Sequence, residues 1–340
     1  MTLSKKWILF LAPVFILGAC KSDSTSTTDL VGDWVNRFSF NGVARSEAVS
    51  FTIGTKSYIG GGFDGVKRLN DFWEYDVTTG LWRKVKTFPG TARSGAIAFA
   101  IDSKGYVGTG IDDNGIRLND FYEYTPGVSL SDSGTWVQKN NFGGTARQEA
   151  TGFTIGTKGY VIAGYDGNYL KDFWEYTPGS DSWMLKAFPG NKRREATAFV
   201  INGKAYLATG INNGVVMNDF WEYDPAGTGN GWTKKRDISN TSTESYDDTY
   251  SITRSNGVSF VINNKGYVVG GENGATSDCW EYDPSGDVWT KKTPFEGAYR
   301  TGAVGASIDG KGFVLTGRNG NNPLDDFWQF LPDATKVDNN

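Results

Sequence analysis

The sequence predicts an all-β protein built from six copies of one four-stranded unit, and three observations carry that expectation. Six times an arginine is followed, in fixed register, by isoleucine eight residues on, lysine eleven on, an aromatic thirteen on and glycine seventeen on. An Asp-Phe-Trp-Glu-Tyr string, or a variant of it, follows each glycine seven to ten residues later. The runs in between are short, β-branched or aromatic, and bounded by turn residues, which is the signature of strands. A register held that strictly marks one supersecondary unit repeated around an array, because every copy must offer the same faces to its neighbours.

The recurring sets begin Arg45, Ile53, Lys56, Tyr58, Gly62 and end Arg300, Ile308, Lys311, Phe313, Gly317; Arg93, Arg147, Arg193 and Arg254 head the four between. Ala48 to Ile53 reads as a first strand and Tyr58 to Gly62 as part of a second. Asn202-Gly203 and Asp309-Gly310 between such strands are the type I′ signal of a tight antiparallel hairpin. Asp71 to Tyr75, Asp172 to Tyr176 and Asp219 to Tyr223 give the third strand in full, with variants at Asp120, Asp278 and Asp326. The fourth strand is marked by Trp82, Trp136, Trp183, Trp232 and Trp289. Units of this layout suit the blades of a β-propeller, where radial packing buries both faces of each small sheet.

The Gly-Gly doublet with the downstream Tyr and Trp resembles the kelch motif, and the resemblance extends over nearly everything after the leader at residues 1–19. It implies a six-bladed kelch-type propeller. After Trp328 no further tryptophan precedes Asn340, whereas Gly32-Asp33-Trp34-Val35 stands ahead of the first arginine unit. The N-terminal strand is therefore expected to complete the last blade and latch the ring, removing an exposed sheet edge.

One domain, residues 31–335, is expected to hold all six blades, with a short tail at 336–340. Residues 1–19 read as a leader: Lys5 and Lys6 precede an apolar stretch too short to span a bilayer. Leu17-Gly18-Ala19-Cys20 resembles the lipobox of bacterial lipoproteins, which implies cleavage before Cys20, its lipidation, and a flexible tether over 20–30. Lys21 after the cysteine favours, by the same analogy, the outer membrane of a Gram-negative envelope. Cys279 stands where the other blades carry phenylalanine and reads as a small buried apolar residue without a disulfide partner.

The chain has a formal net charge of −4 and no basic stripe, so nucleic acid is not an expected partner. It contains no histidine, which removes Ser-His-Asp triads, His general bases and nearly every transition-metal site; no cofactor is expected. Galactose oxidase, a kelch propeller enzyme, needs histidine copper ligands and a cysteine-crosslinked tyrosine, so that activity is excluded. A remaining catalytic route uses carboxylates as acid and base beside arginines that hold an anion.

Strand directions place the loop between second and third strands on the same face as the connection into the next blade. The arginines Arg45, Arg93, Arg147, Arg193, Arg254 and Arg300 are expected on that face near the mouth of the central channel, where guanidiniums could hold carboxylates or phosphates. The alternative is structural pairing with the third-strand carboxylates Glu74, Glu123, Glu175, Glu222 and Glu281. Differences between copies guide better than repeats, because a ligand seldom has sixfold symmetry. Two positions beyond each arginine the series reads Glu47, Gly95, Glu149, Glu195, Asn256, Gly302, and just past the recurring glycine it reads Phe63, Ile111, Tyr165, Ile211, Glu272, Arg318. The Asp or Asn that follows each of the latter is a turn former.

The connection from Trp232 to Arg254 is about twice as long as its equivalents, and its Tyr246, Asp247, Asp248 and Tyr250 offer stacking faces and acceptors, or else form a plain surface loop. The first expectation is a lipid-anchored, monomeric recognition module that takes a glycan, an anionic small molecule or a protein. The second is an enzyme: the plan resembles the sialate mutarotase (N-acetylneuraminate epimerase) family, which implies Glu149 or Glu195 as acid and base with Arg147, Arg193 or Arg194 holding a carboxylate. The third is a structural envelope subunit.

Overall fold

The computed structural model describes residues 30–239, 250–274 and 277–337, and among these there is no helix. Six four-stranded antiparallel sheets follow one another around a central channel. In the first blade the strands are Val49–Ile53, Lys56–Gly60, Phe72–Asp76 and Leu81–Lys84, each paired with the next. The innermost strands, from Val49–Ile53 round to Val304–Ile308, touch their neighbours in a closed circuit. The last blade takes its outermost strand from the other end of the chain: Val31–Arg37 lies antiparallel to Phe327–Thr335, with Trp34 opposite Phe330. The latch expected from the sequence is therefore present, and no blade ends in a free partnerless third strand among the described residues.

The recurrent residues each have a place. Asn202 and Asp309 adopt φ of 51° and 50° ahead of Gly203 and Gly310 at 77° and 70°, the type I′ backbone that a short hairpin needs. Third-strand tyrosines stand opposite the fourth-strand tryptophans, as in Tyr75–Trp82 and Tyr282–Trp289. Phe and Tyr rings from adjacent blades interdigitate between the sheets; Phe51, Tyr58, Phe72 and Tyr124 form one such cluster. Cys279 is wholly buried in the cluster around Trp34 and Phe330, and burial pushes its thiol pKa up, so it behaves as a packing residue.

The six recurring arginines are the main correction. All are at most 2% exposed, so none lines the channel mouth. Nor do they pair with the third-strand glutamates. Arg45, Arg93, Arg147 and Arg300 each fork onto the aspartate that opens the third strand, Asp71, Asp120, Asp172 and Asp326, at 2.5–2.9 Å. Arg193 meets both oxygens of Asp219 through one nitrogen. Each guanidinium also donates to a backbone carbonyl of the second strand's end, such as Gly61 or Thr109, and five of them lie over a phenylalanine five residues upstream, such as Phe40 or Phe88. The glutamates are served by the recurring lysines instead: Lys56 reaches Glu74, Lys204 reaches Glu222 and Lys265 reaches Glu281, each at 2.8 Å.

Blade five departs from this scheme. Arg254 bonds only to carbonyls, those of Ile252, Gly270, Asp278 and Ser251, while the Asp278 carboxylate is taken by Ser251 and Lys291. Burial without a carboxylate lowers the Arg254 pKa to about 10. The end of the long connection supplies Ser251 to Asp278, and beside it Tyr250 packs at a tilt on Trp280 at 4.9 Å and donates to the Trp289 carbonyl at 2.8 Å. Tyr250 is thus committed to packing rather than offered to a ligand. Tyr246, Asp247 and Asp248 lie outside the described residues, as do the leader at 1–19 and Cys20.

Candidate functional site

Two rings of backbone hydrogen bonds bring one end of the channel into shape. The recurring glycine N–H donates to the carbonyl of the next blade's arginine, from Gly62 to Arg93 round to Gly317 to Arg45. A β-carbon on Gly62 would lie 2.8 Å from the Ser46 carbonyl oxygen, and its φ is 95°, so this close approach requires glycine. The second ring runs closer to the axis. The amide of Glu47 donates to Gly302, Gly95 to Glu47, Glu149 to Gly95, Glu195 to Glu149, Asn256 to Glu195 and Gly302 to Asn256, at 2.7–3.3 Å.

Closing that circuit puts all six residues in the left-handed region, with φ between 53° and 60°. Glycine and asparagine accept such a backbone readily; glutamate does not, and each costs roughly 1 kcal/mol or more. Glu47, Glu149 and Glu195 therefore occupy the mouth against local preference, and together they line its cavity with Asn256. The two glycines make room: the Glu149 Cγ lies 3.5 Å from where a Gly95 β-carbon would stand, and the Glu47 Cγ 3.1 Å from that of Gly302. Below the mouth the channel continues between small residues such as Ala96, Ala98, Ala196 and Gly257, a space of about 250 Å³.

Arg194, next to the buried Arg193, is the cation of the mouth. Its guanidinium lies 2.8 Å from Glu149 Oε2 and 3.3 Å from Glu195 Oε1. It is held over the rings of Tyr165 and Tyr169, with Arg117 also over Tyr165 at 4.8 Å. Gln148 donates to Glu149 Oε1 at 2.7 Å. Burial, and then the neighbouring Glu149 carboxylate, raise the Glu195 pKa to about 7, with Glu272 adding to the rise. Burial raises Glu149 too, against the pull of Arg194.

The structure thus brings together Glu47, Glu149, Glu195, Tyr165 and Glu272 from the sequence-based set. Tyr165 supports guanidiniums rather than presenting a free ring, while Glu272 pairs through its backbone with Ser255. Phe63 and Arg318 sit in an off-axis cleft with Arg68. Gln148, Arg68, Arg117 and Tyr169 were missed. The last three bridge across from Phe63, Ile111 and Tyr165, but at unequal distances after the recurring glycine, so an in-register comparison passes over them. The turn role of the Asp/Asn position holds, with Asp64 and Asp112 accepting backbone amides of their own loops.

Comparison with known families agrees with this geometry. Residues 35–194 match the KLHDC2/KLHL20/DRC7 Kelch-repeats domain and residues 253–296 match the Kelch motif. This chain is a kelch-repeat β-propeller. No curated protein matches the kelch chain in sequence. Among solved structures it is similar to one described as the structure of YjhT, with a TM-score of 0.69, 16% identity, and coverage of 85% of this chain and 95% of that one. At that identity the likeness concerns the kelch fold alone.

Proposed function

We propose that this protein is a glycan-recognition module whose binding face is the glutamate-lined mouth. The observation that carries the reading is the placement of Glu47, Glu149 and Glu195 on a left-handed backbone where equivalent blades use Gly or Asn. Strain kept at a concave, solvent-reaching position points to a task outside the blade itself. The chemistry suits a polyhydroxylated ligand. A carboxyl that titrates near neutrality can donate as well as accept, and Arg194 donates, which matches the dual character of sugar hydroxyls. Binding of the full-length protein to a glycan array, compared with Glu149→Gln and Arg194→Ala variants, tests this. Retention of every hit by both variants would place recognition elsewhere.

One observation favours a second reading, proton transfer on a bound sugar of the sialate mutarotase type: two carboxyls with raised pKa flank one guanidinium. Arg147 and Arg193 have no free donor edge for it, leaving Arg194 to hold an anion. Anomer exchange of N-acetylneuraminate followed by proton NMR, unaltered by added protein, would remove this reading. We further propose lipidation at Cys20 and residence in the outer membrane. Val31 pairs with Thr335 beyond the Ile308–Lys311 hairpin, on the face opposite the mouth, so a tether from Cys20 would turn the binding face away from the bilayer.

A further inference from the structure

Beside the mouth, between the last blade and the first, lies a cleft of about 400 Å³, against about 120 Å³ for the mouth cavity. Small-molecule sites are usually roughly 300 Å³ or larger, a size that the cleft reaches by itself. Glu47 lines both spaces, which makes them neighbours.

The cleft differs from the mouth in charge. The mouth is lined by three glutamates, two of them on the Arg194 guanidinium, whereas the cleft lining carries Arg68 and Arg318 against Glu47 alone. Among the described residues no carboxylate pairs with Arg318, whose only side-chain bond is to the Gly320 carbonyl. Arg68 is held over Phe63 at 5.6 Å and donates through Nε to Ser94 at 3.1 Å. Its one carboxylate contact, with the half-exposed Asp113, is long at 3.4 Å, and its second terminal nitrogen is uncommitted. Ser94 passes the link on to Glu47 at 3.0 Å.

We infer that this cleft is a second subsite, taking an oxyanion-bearing sugar residue joined to the one seated at the mouth, so that the ligand is an acidic oligosaccharide rather than a monosaccharide. Two guanidinium edges supply donors for a carboxylate or sulfate, and Phe63 with Pro323 supplies an apolar wall for the ring face. The inference rests on the mouth being a glycan site.

The test uses the full-length protein on an array of acidic oligosaccharides, carboxylated in one arm and sulfated in the other, each beside its methyl-esterified or desulfated counterpart and its monosaccharides. The expected result is capture of acidic oligomers in at least one arm, at least tenfold over their neutral counterparts. That preference should be lost in Arg68→Gln and Arg318→Gln, while Arg194→Ala loses acidic and neutral ligands alike. Melting temperatures equal to wild type establish that the glutamine variants are folded, and Arg318→Ala serves if Arg68→Gln is not. Neutral oligomers bound as well as acidic ones, or acidic ones bound equally by the glutamine variants, would overturn the second subsite and leave the mouth standing. An array with no hit for the wild-type protein removes the parent reading and this one together.

Discussion

Glutamate in a left-handed conformation is the most informative residue-scale feature, because its cost is visible and its compensation is not found within the blade. It also sets a pH signature. Glu195 has an ordinary pKa of 4.5 and a folded value of about 7, so the folded protein holds a proton that the unfolded chain releases between those limits. Stability from this group is complete below about 4.5 and falls as pH rises through 7. Glu74, lowered to about 2 because Arg83, Lys56 and Tyr58 outweigh its burial, acts in the opposite sense: its contribution is present above 4.5 and lost as pH falls toward 2. The midpoint of thermal unfolding should therefore rise from pH 2 to about 4.5 and decline toward 7. In Glu195→Gln the decline should flatten while the acid limb is unchanged; an unchanged decline would mean that Glu195 does not carry it.

The buried arginines give a second residue-scale prediction. Replacing Asp219 by Ala leaves Arg193 buried without its carboxylate and should cost about 3–5 kcal/mol in chemical denaturation. Asp278→Ala should cost clearly less, since Arg254 already relies on carbonyls alone and the lost bonds are those to Ser251 and Lys291. Equal losses at the two positions would show that the carboxylate is not what stabilises the Arg193 site.

At the scale of elements, the latch strand Val31–Arg37 holds the ring shut. Trp34 is fully buried, packed edge-on to Phe295 at 4.8 Å, and donates to the Thr293 carbonyl. Trp34→Ala should destabilise the protein by about 3–5 kcal/mol. Removing the strand would also uncover the edge of Phe327–Thr335, so size-exclusion chromatography should detect self-association. A monomeric truncation with the parent's denaturation midpoint would contradict this. Strand order and latch were legible because tryptophans and glycines recur at fixed spacing, and hairpin chemistry is local. The partners of the arginines were not. The register gives six arginines, five glutamates, six lysines and six aspartates at matching intervals, and only strand direction and side-chain reach decide that Arg meets Asp while Lys meets Glu.

For the whole molecule, the mouth and the chain's entry at Val31 lie on opposite faces. With Cys20 lipidated, phase partitioning in a cloud-point detergent should place the protein in the detergent phase and Cys20→Ser in the aqueous phase. Partitioning indifferent to the cysteine would dismiss the anchor. The acidic mouth and basic cleft are likewise properties of the closed ring, since Glu47 and Arg318 approach only because the last blade docks on the first.

The sequence by itself determined the six units, their strand types, the closing strand and the exclusion of histidine chemistry, because each is written in periodic or local residue choices that a single blade must satisfy. Tertiary structure alone decided which charges are spent inside blades and which remain at the rim. Exposure and pairing depend on residues from separate blades, and nothing in linear spacing records how far a guanidinium must bury itself before it meets its carboxylate.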